Sequence, residues 1–257
     1  MTNFPSNHTE LIKRVNSVVN DNPMSLTEIE IPNRNVSLFK VDIPASNSAC
    51  ARIGLFTGVH GDEPAAIASI LAFLEQRKWT EFPNFEFVIY PCINPTGFDL
   101  GIRENIDSQD INRSFTGKGT PESLTVRKSV GKQKFDLWID AHEDPEETGY
   151  YMYPLFSDES WGTQIVKQVS TVGPINSKPV IDDRDVKDGL VSLPSRQELS
   201  AFMKTTDQWP LALYAYSALG QNGMTTETPG QIDFDTRVQM QLSAQIHSMR
   251  LLQHSIL

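Results

Sequence analysis

His60 and Glu63 lie three residues apart in the segment Gly-Val-His-Gly-Asp-Glu-Pro, positions 58–64. An imidazole nitrogen and a carboxylate oxygen are two of the three protein ligands that a catalytic zinc takes, with a fourth position left for water. The run Ala51–Thr57 just before them is apolar and ends at a glycine, which predicts a buried strand breaking into a loop. Pro64, followed by Ala-Ala-Ile-Ala-Ser-Ile-Leu-Ala-Phe-Leu, predicts a helix over about 64–78 that opens on a first-turn proline. The pair is therefore expected on a turn at the C-terminal end of a strand, where open α/β sheets bind their ligands. Taken alone, a His-x-x-Glu pair reads more simply as loop side chains making local hydrogen bonds.

Scarcity of histidine strengthens the metal reading. The chain has five. His8 falls in a polar N-terminal stretch and His247 and His254 in a C-terminal helical stretch, which leaves His60 and His142 in the body of the chain. The run 135–141 predicts a second inner strand, so His142 is expected just past its end, in a context like that of His60. Asp140, two residues earlier, shares a face with His142 if the strand continues and is then a candidate acceptor for an imidazole N–H. His142 on its own also fits a satisfied core histidine.

Composition sets the class. A chain of 257 residues with 39% hydrophobic content, four Trp and thirteen Phe is globular, with room for one substantial α/β core. A net charge of −10 argues against nucleic acid or an anionic membrane as a partner. No stretch approaches eighteen apolar residues, and the N-terminus lacks a basic segment followed by an apolar core, so neither a membrane span nor a signal peptide is expected. Cys50 and Cys92 fit neither a disulfide framework nor a zinc knuckle. They are expected as small buried side chains in a reducing cytoplasm.

The elements that must position these residues follow in a regular order. A helix is expected over 8–20, a hairpin from 26–31 and 36–43, a strand over Phe85–Tyr90, an irregular stretch from about 96 to 120, and a helix near 121–132. Beyond His142 come a strand at 150–155, a helix at 158–170, a long loop over 173–195, a helix at 208–219, a short strand at 223–226 and a closing helix at 233–255. Strands alternating with helices imply a mixed, mainly parallel sheet covered on both faces. We expect one catalytic domain over 1–257, with the helix and hairpin of 1–45 at its start and no further β domain at its end.

Five motifs occur in an order that resembles the zinc carboxypeptidase superfamily: His-Gly-Asp-Glu-Pro-Ala from His60, Asn-Pro-x-Gly from Asn94, Asp-x-Asn-Arg-x-Phe from Asp110, Asp-x-His-Glu from Asp140 and Thr-Glu-Thr-Pro from Thr226. That group includes the carboxypeptidases proper, the murein-peptide amidases and the succinylglutamate desuccinylase/aspartoacylase branch. The resemblance implies a small bacterial-type α/β member with one Zn²⁺ per chain held by His60, Glu63 and His142. It implies Glu227 as the catalytic carboxylate and places Arg103 and Asn112-Arg113 at the substrate.

Each role has its own chemistry. Zinc lowers the pKa of a bound water toward about 7, within reach of a partly buried Glu227 acting as base. Glu227 also fits a helix cap or a salt bridge. Arg113 can fork two hydrogen bonds to a substrate carboxylate, with the Asn112 amide beside it. Arg103 would stabilise a developing oxyanion, although Glu104 offers it a local partner. Carboxypeptidases proper carry a mobile tyrosine upstream of the catalytic glutamate. Tyr214 and Tyr216 are the candidates, and both also fit a helical core.

The function implied is hydrolysis of an amide next to a free carboxylate, at a peptide C-terminus or in a murein-type peptide. Only the stretch 228–257 follows Glu227, and this favours those substrates over acyl-amino acids. An N-acyl amino acid amidohydrolase and a non-catalytic peptide-binding protein are the alternatives. A second metal ion is a further alternative, because Asp62, Asp140, Glu143 and Asp144 crowd the region.

Overall fold

Apolar alternation and turn residues build a ten-stranded sheet, seen in a computed structural model that describes residues 4–256. Positions 1–3 of the expected N-terminal segment and the final residue lie outside the described residues. Helix α1 (His8–Asn20) opens on Asn7, whose side chain accepts from the Glu10 amide. Strands β1 (Ser25–Glu30) and β2 (Ser37–Ile43) form the expected antiparallel hairpin. Strand β3 (Ala51–Thr57) leads through the His60 turn into α2 (Pro64–Glu75), with Pro64 in its first turn and Glu63 at the N-cap position.

Strand β4 (Phe85–Tyr90) matches its expected bounds. The stretch expected to be irregular contains α3 (Pro95–Leu100), capped by Asn94, and a 3-10 turn at Ile111–Arg113. Helix α4 (Pro121–Val130) carries a capping box between Thr120 and Ser123. Strand β5 (Leu137–Asp144) runs three residues beyond its expected end, so His142 is inside the strand and not past it. Strand β6 (Tyr151–Leu155) and helix α5 (Ser160–Val169) follow.

The expected long loop is instead a small β excursion of three strands, β7 (Val180–Ile181), β8 (Arg184–Lys187) and β9 (Leu190–Val191). Its Asp182, Asp183 and Asp188 adopt positive φ, as tight turns require. Helix α6 (Arg196–Phe202), also unforeseen, precedes α7 (Leu211–Tyr214), which continues as a π-helical turn over Ala215–Leu219. Strand β10 (Gly223–Pro229) and the long helix α8 (Phe234–Ile256) complete the order.

The strand order is β1-β2-β4-β3-β5-β10-β6-β9-β8-β7. The centre, β4-β3-β5-β10, is parallel, and antiparallel pairs sit toward both margins. The molecule is thus an α/β mixed sheet whose parallel part is its core. One face is covered by α1, α2, α5 and α8, joined through Leu11, Ile70, Ile165 and Met249. The other packs α4 and α7 through Val126 and Leu211 against Phe56, Trp138 and Tyr90. Strands covered on both faces read as continuous apolar runs, which is why β3 and β5 were legible. Cys92 is buried as expected, but Cys50 is exposed.

Candidate metal centre and substrate cleft

Two glycines explain the shape of the His60 turn. Gly58 takes a positive φ of 63°, which turns the chain off β3. Gly61 lies so close to the start of α3 that an added Cβ would fall 1.9 Å from the Gly97 carbonyl carbon. His60 is therefore fixed against the Asn-Pro-Thr-Gly turn. That turn in turn holds Arg103, since Asn94 Nδ2 donates to the carbonyls of Arg103 and Glu104 at 3.1 Å each.

The three expected ligands come together. Candidate ligand atoms of His60, Glu63 and His142 all lie within 4.8 Å of one another, and all three residues are buried. His60 Nδ1 is 2.5 Å from Glu63 Oε1 and His142 Nδ1 is 2.8 Å from Glu63 Oε2. Among the described residues this is the one such convergence of three metal-ligating side chains. Asp62, Glu143 and Asp144 do not join it.

Each imidazole turns its other nitrogen to a carboxylate. His60 Nε2 is 3.2 Å from Asp110 Oδ1, and His142 Nε2 is 3.1 Å from Asp140 Oδ1. The second contact is close in distance without hydrogen-bond alignment, for both Asp140 oxygens are buried and lack a hydrogen-bond partner. Such carboxylate–histidine pairs fix which nitrogen faces a metal. The donor set of two nitrogens and one carboxylate fits zinc.

The electrostatics suit a cation. Burial would raise the Glu63 carboxyl, but His142 and His60 outweigh it and hold it below the usual range. Burial would lower both imidazoles. Glu63 and Asp110 nonetheless raise His60, and Asp140 and Glu63 raise His142 well above its ordinary value. Asp110 is held low, because His60 and the nearby arginines overcome its burial. Carboxylates thus surround the imidazoles and favour positive charge at this point.

Glu227 sits on β10, paired in register with His142 on one side and Tyr151 on the other. It lines a cleft of about 690 Å³ together with His60, Glu63, Arg103, Asn112 and Arg113. Burial pushes its carboxyl up, and Glu63, Asp144 and Asp140 add to this against the pull of His142, so it lies well above the ordinary range.

Arg103 pairs with Asp110 at 3.1 Å, not with its neighbour Glu104, and its Nη1 comes 3.2 Å from His60 Nδ1. Asn112 Oδ1 accepts the Leu211 amide at 2.8 Å, which leaves its Nδ2 as the group turned toward His142 at 3.5 Å. Arg113 is exposed, and among the described residues its guanidinium donates only to the Asn112 carbonyl. Tyr214 and Tyr216 are not brought to the cleft. Tyr214 is buried against Phe115 with Arg127 over its ring, and Tyr216 opens on a different groove. The tyrosines that do line the cleft are Tyr151 and Tyr153 of β6, whose hydroxyls donate to Asp144 and Asp182 at 2.7 and 2.5 Å. Their i, i+2 spacing was the available signal, since it puts both on one face of a strand.

Residues 49–160 match the family described as the succinylglutamate desuccinylase/aspartoacylase catalytic domain. Murein peptide amidase A of Escherichia coli (strain K12) is 33% identical over 72 residues, a stretch that spans 28% of this chain and 28% of that protein. Solved structures share the fold. A Shewanella amazonensis SB2B protein, provisionally described as a metallopeptidase, superposes with a TM-score of 0.81 at 19% identity, covering 95% of this chain and 92% of that one. A metallo-carboxypeptidase from Burkholderia cenocepacia gives 0.72 at 14% identity, over 98% of this chain and 70% of that one. No helix among the described residues is long and apolar enough to cross a membrane. Over residues 49–160, less than half of the chain, the sequence is thus similar to that catalytic-domain family, and over nearly its whole length the chain shares the fold of these metallopeptidase-like structures, with His60, Glu63 and His142 brought together as a candidate metal site.

Proposed function

We propose that the protein is a zinc-dependent hydrolase that cleaves an amide bond beside a free carboxylate in a small peptide. The observation that carries this reading is the placement of Glu227 beside His142 on the neighbouring strand, in a cleft that also exposes Arg113. His60, Glu63 and His142 would hold one zinc ion, which supplies Lewis acidity to a water and to the substrate carbonyl. Arg113 forks the substrate carboxylate and orients the amide, with Asn112 Nδ2 donating alongside. Arg103 donates to the oxygen that gains charge as the carbonyl is attacked. Glu227, its basicity raised by burial and neighbouring carboxylates, takes the proton of the attacking water and returns it to the departing amine. No covalent acyl-enzyme is needed.

The test is element analysis with peptide hydrolysis. We expect about one zinc per chain and activity that is lost in chelator. Glu227→Gln should keep its zinc and lose at least about 10²-fold in kcat. A metal-free protein that still binds peptides would replace the hydrolase reading with the peptide-binding one. The matched family favours a second substrate class, N-acyl amino acids. Peptides and acyl-amino acids assayed side by side separate the two by their kcat/KM.

A further inference from the structure

The β7–β9 excursion carries an arginine that nothing in the fold uses. Residues of β8 alternate between partly buried and exposed, so Arg184 and Val186 share the inward side. Val186 packs there against Tyr151, Ile181 and Val191, and Arg184 lines the cleft. Arg103 is held by Asp110 and Arg237 by Glu143, but among the described residues the Arg184 side chain has neither an ion pair nor a hydrogen bond. Shortage of carboxylates does not explain this in a chain of net charge −10. Asp144 and Asp182 line the same cleft, yet each already accepts a tyrosine hydroxyl.

The hairpin that bears Arg184 is also held in place. Asp182 and Asp183 take φ of 48° and 57°, a two-residue turn closed by the Ile181–Arg184 pair. The 2.5 Å bond from Tyr153 to Asp182 ties that turn to β6, the strand next to Glu227. A partly buried guanidinium kept on a tethered hairpin, lining a cleft and free of any protein carboxylate, is available to an anion that enters the cleft.

We propose that Arg184 is a specificity-determining residue that binds a second carboxylate of the substrate. The preferred substrate then carries two: the one beside the scissile amide, taken by Arg113, and one on a neighbouring acidic side chain, taken by Arg184. The inference rests on the hydrolase reading for the identity of the first carboxylate only. A planar guanidinium suits this role because it forks to a carboxylate and discriminates against the isosteric amide.

Matched peptides that differ only in Glu, Gln or Lys beside the cleaved bond test it, with zinc-loaded wild-type protein, Arg184→Gln, Arg184→Lys and Tyr153→Phe. Wild type should favour Glu over Gln by about tenfold or more in kcat/KM, mostly through KM. Arg184→Gln should bring that ratio near one while kcat for the Gln peptide is kept. Arg184→Lys should restore part of the ratio, and Tyr153→Phe should reduce it by loosening the hairpin. Equal use of Glu and Gln by wild type, or an unchanged ratio in a folded Arg184→Gln, overturns the inference. Calorimetry of the same peptides on zinc-loaded Glu227→Gln separates the two readings. Glu-selective binding without turnover by wild type sinks hydrolysis alone, whereas binding indifferent to Glu or Gln sinks the role of Arg184.

Discussion

Asp110 joins three groups at the site: it accepts from the Asn112 amide at 2.7 Å, pairs with Arg103 and meets the outer nitrogen of His60. Replacing it with Asn keeps the shape and removes the charge that orients the ring. We expect Asp110→Asn to weaken zinc binding by about 10–100-fold, as read by competition with a chromophoric chelator. An unchanged affinity would show that His60 is oriented by its turn alone. His60, Glu63 and His142 are legible in the sequence because they follow or end strongly patterned apolar runs, whereas Glu227 is legible only through the resemblance of its Thr-Glu-Thr-Pro motif. Asp110 stood inside a recognised motif, but its partner lies 50 residues away, and no local pattern reports a contact of that range. Tyr214 and Tyr216 are near Glu227 along the chain but not in the cleft. Chain distance misleads here, because β6 returns antiparallel beside β10 and brings Tyr151 next to Glu227.

Helices brace the site from behind. Gln241 of α8 donates to the His142 carbonyl and accepts from Thr226, both at 2.6 Å, in full burial. Arg237 of the same helix holds Glu143, whose other oxygen accepts the Ala65 amide in the first turn of α2. The helix was predictable from sequence, but which of its polar side chains turned inward was not, because buried polar residues interrupt the apolar pattern. Helix α1 offers a similar case with a pH signature. His8, expected in a polar stretch, is buried against Phe39, and its Nε2 has no partner. Burial lowers its pKa below the model-peptide value of 6.5, against the pull of Asp99. The unfolded chain therefore takes up a proton at a pH where the folded one resists it, so this residue costs stability as pH falls below about 6.5 and is neutral above it. Urea midpoints at pH 7.5 and 5.5 should fall further for wild type than for His8→Leu, and parallel losses would refute the assignment.

At the scale of the whole molecule, one ion would join β3, α2 and β5 through His60, Glu63 and His142. A ligand held only by the folded state stabilises it by about 3–4 kcal/mol at a hundred to a thousand times its dissociation constant. Chelation should then lower Tm by several degrees in a chain of this length, roughly 2–4 °C per kcal/mol. A melting curve indifferent to chelator would mean that no ion bridges these elements. The parallel centre of the sheet was legible from continuous apolar runs, while the 173–195 excursion was not, for its strands are only two to four residues long and rich in Asp and Lys. The strand order has one more consequence, for biosynthesis. Strand β10 is inserted between β5 and β6, although some seventy residues of chain separate it from β6. Until the ribosome has released position 229, two hydrogen-bonding edges stand open in the middle of the nascent sheet, an invitation to mispair with other chains. The cleft that Glu227 lines is complete only once this last strand is in place.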